Sequence, residues 1–184
     1  IDVFYGTGVA KSATLVTVHG GKSGEQSLHA GSIILCGGSK AGRLPIPGVE
    51  SENVLTSDEI LDIQEVPKSL AIVGGGVIGV EMAMVFAAFG SKVTIVELEP
   101  AILPFMEKEA SDVILQSLKK KGVVVKTGVK LEKFEDLKEG IKLVLGSGEV
   151  IDADKALLSI GRIADLSCAE GLGLKTERGK IVVD

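Results

Sequence analysis

Tryptophan is absent from this 184-residue chain and aromatic residues make up only 3% of it, so stacking on aromatic faces is not expected to be its main binding device. Cysteine is nearly as scarce: Cys36 and Cys168 lie far apart in neither a Cys-x-x-Cys nor a metal-ligand spacing, and both are expected to be buried spectators. No metal site is expected. His19 and His29 are the only histidines; with no Cys, Asp or Ser constellation beside them, both read as surface residues rather than catalysts. Positive charge is also lacking. Twenty Lys and Arg stand against 25 Asp and Glu, for a net charge of -5, and no basic block tracks a phosphate backbone, so nucleic acid is not an expected partner. No apolar run reaches the roughly 18 residues of a membrane helix, and Ile1 to Tyr5 lack the charged head and apolar core of a signal segment. The expectation is a soluble, cytoplasmic protein. Neither internal repeats nor low-complexity segments occur.

What is present suits a globular chain of one or two domains: 45% of residues are hydrophobic and 24% charged. The first 35 residues alternate short β-type runs with turns, at 14–18, 27–29 and 32–35, with a glycine-rich turn at 20–24. Three short strands bury little apolar area, so this meander is expected to lean on other structure. Residues 37–56, which contain Pro45, Pro47 and Gly48, read as a linker. A short helix is expected next, capped by Thr56 or Ser57 and with acids in its first turn.

From Leu70 the pattern becomes βαβ. Residues 70–73 form a continuously apolar strand, as a parallel strand buried on both faces requires. A helix follows from Val77 to Phe89, apolar nearly all round apart from Glu81, with Gly90 as its cap. Such a helix needs cover on more than one side. A strand at 92–97 leads to a second helix from about Lys108 to Lys121, whose buried side is marked by Val113, Leu115 and Leu118, and then to a third parallel strand at 123–126. The period then falls to two, and runs at 129–134, 141–145 and 150–151 read as antiparallel strands. A buried strand at 155–161 and a last strand at 180–183 complete the chain.

The turn between the first strand and the first helix is Gly74-x-Gly76-x-x-Gly79, and the second strand ends on Glu97. Strand, glycines, helix and terminal acid together form the dinucleotide-binding fingerprint in its expected setting. Gly74 permits the tight turn, Gly76 lets the main chain approach a pyrophosphate, and Gly79 lets the helix pack against the sheet. Free N–H groups and the helix dipole favour the phosphate charge. Glu97 lies 21 residues past Gly76, where its carboxylate can accept hydrogen bonds from both hydroxyls of the adenosine ribose and would repel a 2′-phosphate. No Lys or Arg occurs between Val93 and Glu107, so NAD is favoured over NADP. Glu81 is the odd residue of its helix: a buried carboxylate needs a partner, and from the first turn it could point to the far end of the cofactor.

With these residues placed, the chain resembles the pyridine nucleotide-disulfide oxidoreductases, and among them the dihydrolipoamide dehydrogenases. Gly6 to Gly8, Ile33 to Ser39, Leu44-Pro45, Pro47-Gly48, Thr56-Ser57, Ile72 to Glu81, Val93 to Glu97, Ile102 to Pro104, Ser159 to Arg162 and Gly179 to Val183 carry the resemblance over nearly the whole length. It implies an α/β fold, a Rossmann-like parallel sheet with helices and an antiparallel β-meander of the FAD/NAD(P)-binding type. In that family an NAD domain is inserted in an FAD domain, and NADH and flavin exchange a hydride while a cysteine pair relays electrons to lipoamide. By resemblance Gly74, Gly75, Gly76, Val77, Ile78, Gly79, Val80 and Glu81 hold the pyrophosphate and reach the nicotinamide, with Glu81 near the carboxamide. Glu97 takes the adenine ribose, Val129 flanks the adenine and Gly161 approaches the cofactor. Gly8, Gly37, Gly38 and Ser39 resemble outlying FAD contacts.

The departures from the family pattern narrow the expectation. The family's N-terminal flavin glycine motif, its Cys-x4-Cys pair, its second FAD segment and its C-terminal His-Glu pair find no match here. Gly37 stands where Thr is usual, and Ile163-Ala164 where Arg-Pro is commoner. The chain is therefore expected to be a middle piece: residues 1–45 a remnant of an FAD domain, 46–165 the NAD domain and 166–184 a segment returning to the FAD domain. Its parent would be a homodimer, associated with a lipoyl-bearing multienzyme complex, and the piece alone would bind NAD without turning over lipoamide. Other flavoprotein disulfide reductases, NADH oxidases and a stand-alone nucleotide-binding module remain the alternatives.

Overall fold

The computed structural model describes residues 1–22 and 24–183; Ser23, inside the turn expected at 20–24, and Asp184 lie outside the described residues. In chain order come β1 (Thr7–Ser12), β2 (Leu15–Gly21), β3 (Gly24–His29), β4 (Ser39–Ala41) and β5 (Val54–Thr56). A 3-10 turn at Glu59–Asp62 precedes β6 (Ser69–Val73), α1 (Val77–Ala88), β7 (Lys92–Val96), α2 (Lys108–Lys120) and β8 (Val124–Lys126). Then follow β9 (Leu131–Asp136), β10 (Ile141–Leu145), β11 (Val150–Ala153), β12 (Lys155–Leu158) and β13 (Arg162–Ala164). A second 3-10 segment, Ser167–Leu172, leads to β14 (Thr176–Glu177) and β15 (Lys180–Ile181). Two compact units result, one of residues 41–161 and one of residues 1–40 with 162–184.

The 41–161 unit has three layers. Its centre is a parallel sheet in the order β5-β12-β6-β7-β8. Along β6 the side chains alternate as a pleated strand demands: Leu70 and Ile72 join Val80, Ala83, Phe86 and Leu118 on the helical side, while Ala71 and Val73 join Phe134, Ile141 and Leu143 from the antiparallel sheet β11-β10-β9. Both faces are covered, which is why residues 70–73 are apolar without interruption. The chain crosses from β6 through α1 to β7 on one side, whereas β12 lies on the other. The carboxyl ends of β6 and β12 thus flank a topological switch point, the usual ligand crevice of an open α/β sheet.

Several expectations give way to the three-dimensional packing. Residues 32–35 form no strand, and the linker expected at 37–56 contains β4 and β5. The helix expected at Thr56 is a single 3-10 turn from Glu59, although Thr56 Oγ1 accepts from the Glu59 amide and the Glu59 carboxylate accepts from the Thr56 amide at 2.6 Å, a reciprocal cap. That amide hydrogen bond, with the nearby Arg43 guanidinium, holds the Glu59 carboxyl below its usual range. Val113 is 68% exposed, whereas Leu115 and Leu118 face inward as expected, together with Ser111 and Ile114. Helix α1 buries one side, leaving Val85 and Phe89 at 41% and 64% exposure. The last strand ends at Ile181. Cys36 is exposed and Cys168 half-buried, so neither is a core spectator.

In the other unit β1, β2 and β3 form an antiparallel meander. His29 is exposed, and half-buried His19 meets Glu25 at 2.9 Å. The Asp165 amide donates to the Gly38 carbonyl at 3.0 Å, Arg162 Nε to Ser39 Oγ at 2.8 Å, and Lys40 Nζ lies 2.9 Å from the Asp165 carboxylate. The Lys40 ammonium, helped by Ser167, holds the Asp165 carboxyl down at about 2. No helix of the described residues is long and apolar enough to cross a membrane.

Candidate functional site

The crevice at the switch point is built from the glycine turn outward. The Gly74 amide donates to Val96 O at 2.9 Å, fixing the end of β6 to β7, and Gly74 turns the chain with φ at +108°, a conformation that L side chains resist. A Cβ on Gly79 would run into the Gly74 carbonyl oxygen and lie 2.7 Å from Ser159 Oγ, so only glycine lets α1 sit this close to the sheet. Gly76 differs. A Cβ there would meet no heavy atom within 4 Å beyond its chain neighbours, leaving its main chain open to whatever enters the crevice. Gly76 is also the N-cap of α1, and the first helical amide bonding back to it is that of Val80, at 3.0 Å. The first-turn amides before it have no intrahelical acceptor, and no acidic side chain occupies the first turn. That is a setting for an anionic group, and the open Gly76 face gives it room.

Glu97 follows β7 directly and is only 9% exposed. Its carboxylate is held at both oxygens, Oε2 accepting from the Gly75 amide at 2.5 Å and Oε1 from the Glu99 amide at 2.7 Å. Since a carboxylate offers about four lone-pair sites, each oxygen keeps one for a further donor. The acid is therefore fixed against the glycine turn in a set orientation before any ligand arrives. Next to it, the Val129 amide donates to Glu97 O and the Gly128 amide to Glu99 O, both at 2.9 Å, which sets the height of the loop leaving β8.

These groups line a cavity of about 660 Å³. Of the residues expected from the sequence, Gly74, Gly76, Val77, Ile78, Glu97, Val129 and Gly161 form its wall. Gly75, Gly79 and Val80 are buried behind it, where they shape the turn. Glu81 is exposed on α1, so its carboxylate needs no buried partner, and the expectation of a buried acid is corrected. The wall also contains residues that sequence reasoning missed, among them Leu44, Ile46, Glu99, Phe105, Lys130 and Ser159. Glu99 and Lys130 stand beside the expected Glu97 and Val129, and Ser159 stands two residues before Gly161 at the end of β12; the Ser159 hydroxyl reaches the Gly74 carbonyl at 2.9 Å and ties the two strand ends together.

The remaining expected residues belong to the 1–40 and 162–184 unit. Gly8 lies in β1 opposite Val18, and Gly38 has φ at +74°. Ser39 accepts from Arg162 at both its hydroxyl and its carbonyl. At Gly37 a Cβ would come within 2.7 Å of the Asp165 carbonyl and 2.8 Å of Cys168 Sγ, so Thr would not fit here without a backbone shift. Among the described residues no group of three or more His, Cys, Asp or Glu side chains could hold a metal ion.

Known proteins are similar to this chain in sequence and in fold. The model of the family described as pyridine nucleotide-disulphide oxidoreductase matches residues 1–184. A dihydrolipoyl dehydrogenase of Acholeplasma laidlawii is 41% identical over 98% of the chain and 53% of its own length, and one of Bacillus subtilis is 40% identical over 83% and 34%. Among solved structures, the HOCl-induced flavoprotein disulfide reductase RclA of Escherichia coli superposes with a TM-score of 0.88 at 30% identity, over 100% of this chain and 42% of its own. The chain thus spans about half the length, or less, of the relatives it matches. With a family match over residues 1–184 and a relative 41% identical over 98% of the chain, this chain belongs to the pyridine nucleotide-disulphide oxidoreductase family.

Proposed function

We propose that residues 46–165 are the NAD(H)-binding domain of a flavoprotein dihydrolipoamide dehydrogenase, and that residues 1–45 and 166–184 belong to its FAD domain. The observation that carries this reading is the Glu97 carboxylate, fixed by the Gly75 and Glu99 amides at the wall of a crevice whose Gly76 face is open. A pyrophosphate fits the start of α1, and the free lone pairs of Glu97 suit a ribose diol. Gly161, at the β12 side of the crevice, suits the nicotinamide half. When bound, NAD supplies hydride chemistry with the parent's flavin; the residues of this chain bind and orient it. Glu81, exposed on α1, is assigned by resemblance to the carboxamide end. Gly8, Gly37, Gly38 and Ser39 are assigned to the flavin's outlying contacts on the same basis.

Redox cysteines and the acid/base histidine would lie elsewhere in the parent, so this chain by itself binds NAD(H) without oxidising dihydrolipoamide. The parent would act in the cytoplasm as a homodimer within a lipoyl-bearing complex. A second reading, the equivalent domain of another flavoprotein disulfide reductase, is favoured by the 0.88 TM-score with a protein of that description. Titrating the purified chain with NADH, followed by quenching or enhancement of nicotinamide fluorescence, tests the shared core of both readings. Saturable binding at one site is expected, and its absence would overturn them.

A further inference from the structure

We infer that Phe105 is a binding residue that packs on the adenine ring of the bound dinucleotide, an inference resting on the nucleotide-binding reading above. The loop between β7 and α2 is pinned at its middle and free at its tip. Ile102 and Leu103 are buried, at 1% and 4% exposure, and Ser111 Oγ donates to Ile102 O at 2.7 Å. The Leu103 amide donates to the Gly75 carbonyl at 2.8 Å, and Leu103 itself has φ at +49°, a left-handed conformation uncommon for a residue other than glycine. That conformation is held by contacts on both sides, including the Met106 amide on Leu103 O at 2.9 Å.

The result is an exposed aromatic aimed by a buried, strained anchor. Phe105 is 69% exposed yet lines the crevice, in a chain with only five phenylalanines and no tryptophan. Its position selects the ring. The loop departs from β7, the strand that presents Glu97, and the same wall carries Leu98, Val129 and Lys130, whereas Gly161 and Ile160 belong to the β12 side. The adenosine half of a dinucleotide lies on the β7 side when its ribose is held by Glu97, so the flat face nearest Phe105 is adenine. A base stacked on an aromatic side chain is held without regard to its hydrogen-bonding edge.

The test compares NADH, ADP-ribose and reduced nicotinamide mononucleotide as ligands of the wild-type chain and of Phe105→Ala and Phe105→Tyr, with melting temperature as the control for folding. Phe105→Ala should weaken NADH and ADP-ribose alike by about fivefold or more, leave the weak binding of the mononucleotide unchanged, and be rescued by Phe105→Tyr. Equal affinities in wild type and Phe105→Ala would overturn this inference alone, as would equal losses for all three ligands. A wild-type chain that binds neither NADH nor ADP-ribose would overturn the nucleotide-binding reading and this inference with it.

Discussion

Glu97 shows how much a single side chain carries. Its carboxylate accepts from two main-chain amides, so it acts both as a brace for the glycine turn and as an acceptor toward the crevice. Glu97→Gln keeps the shape but replaces one acceptor oxygen by a donor that faces an amide. Charged hydrogen bonds are each worth about 1.5–3 kcal/mol, so this variant should bind NADH about tenfold or more weakly in calorimetric titration; unchanged affinity would remove the ribose role. Asp165 supplies a second residue-scale prediction, on pH. Its carboxyl is lowered from 3.8 to about 2, chiefly by Lys40 and then by Ser167. A depressed carboxylate stabilises the folded state above the unfolded value and loses that contribution as pH falls through the folded one. Wild type should therefore melt above Asp165→Asn at neutral pH, and the gap should close between pH 3.8 and about 2. A gap constant over that window would contradict the assignment.

At the scale of elements, the three glycines of the turn divide into two kinds. Gly79 is needed by the fold, because a Cβ would collide with the Gly74 carbonyl, whereas Gly76 has an ordinary extended backbone with φ at -74° and open space ahead of it. Gly76→Ala should leave stability within about 0.5 kcal/mol yet abolish measurable NADH binding, because on the proposed reading its methyl group would occupy the space of the pyrophosphate. Gly79→Ala should lower the melting temperature as well as the affinity. If both variants bound NADH normally, the turn would not be the phosphate site. The βαβ unit was legible in the sequence because strand 70–73, the glycines and Glu97 are local signals with a fixed spacing. Strand β5 escaped because Val54 to Thr56 is too short to show a period, and its identity comes from pairing with β12, about a hundred residues on. Val113 faces outward because a helix's buried side depends on the phase at which it meets the sheet, which periodicity alone does not set. Leu44 and Ile46 reach the crevice only through tertiary folding, from a stretch that reads as a linker.

For the whole molecule, one sheet supports two functions. Its centre holds the layers together, and the carboxyl ends of β6, β7 and β12 present the crevice. Leu157, with no exposed surface, sits on the helical face of β12 among Leu70, Ile72 and Val80. Leu157→Ala should cost about 2–5 kcal/mol in denaturant unfolding of the chain, with NADH affinity retained by the molecules that remain folded. On the proposed reading this sheet presents an NAD site rather than an NADP site: the Glu97 carboxylate would repel a 2′-phosphate, and the loop from β7 carries no Lys or Arg before Glu107. Lys130 is the one cation on the crevice wall among the described residues, and it shares that wall with two acids, Glu97 and Glu99. The most direct measurement is parallel calorimetric titration of the purified chain with NADH and NADPH. NADH should bind saturably and at least about tenfold tighter than NADPH; equal or tighter binding of NADPH would rule out the NAD assignment.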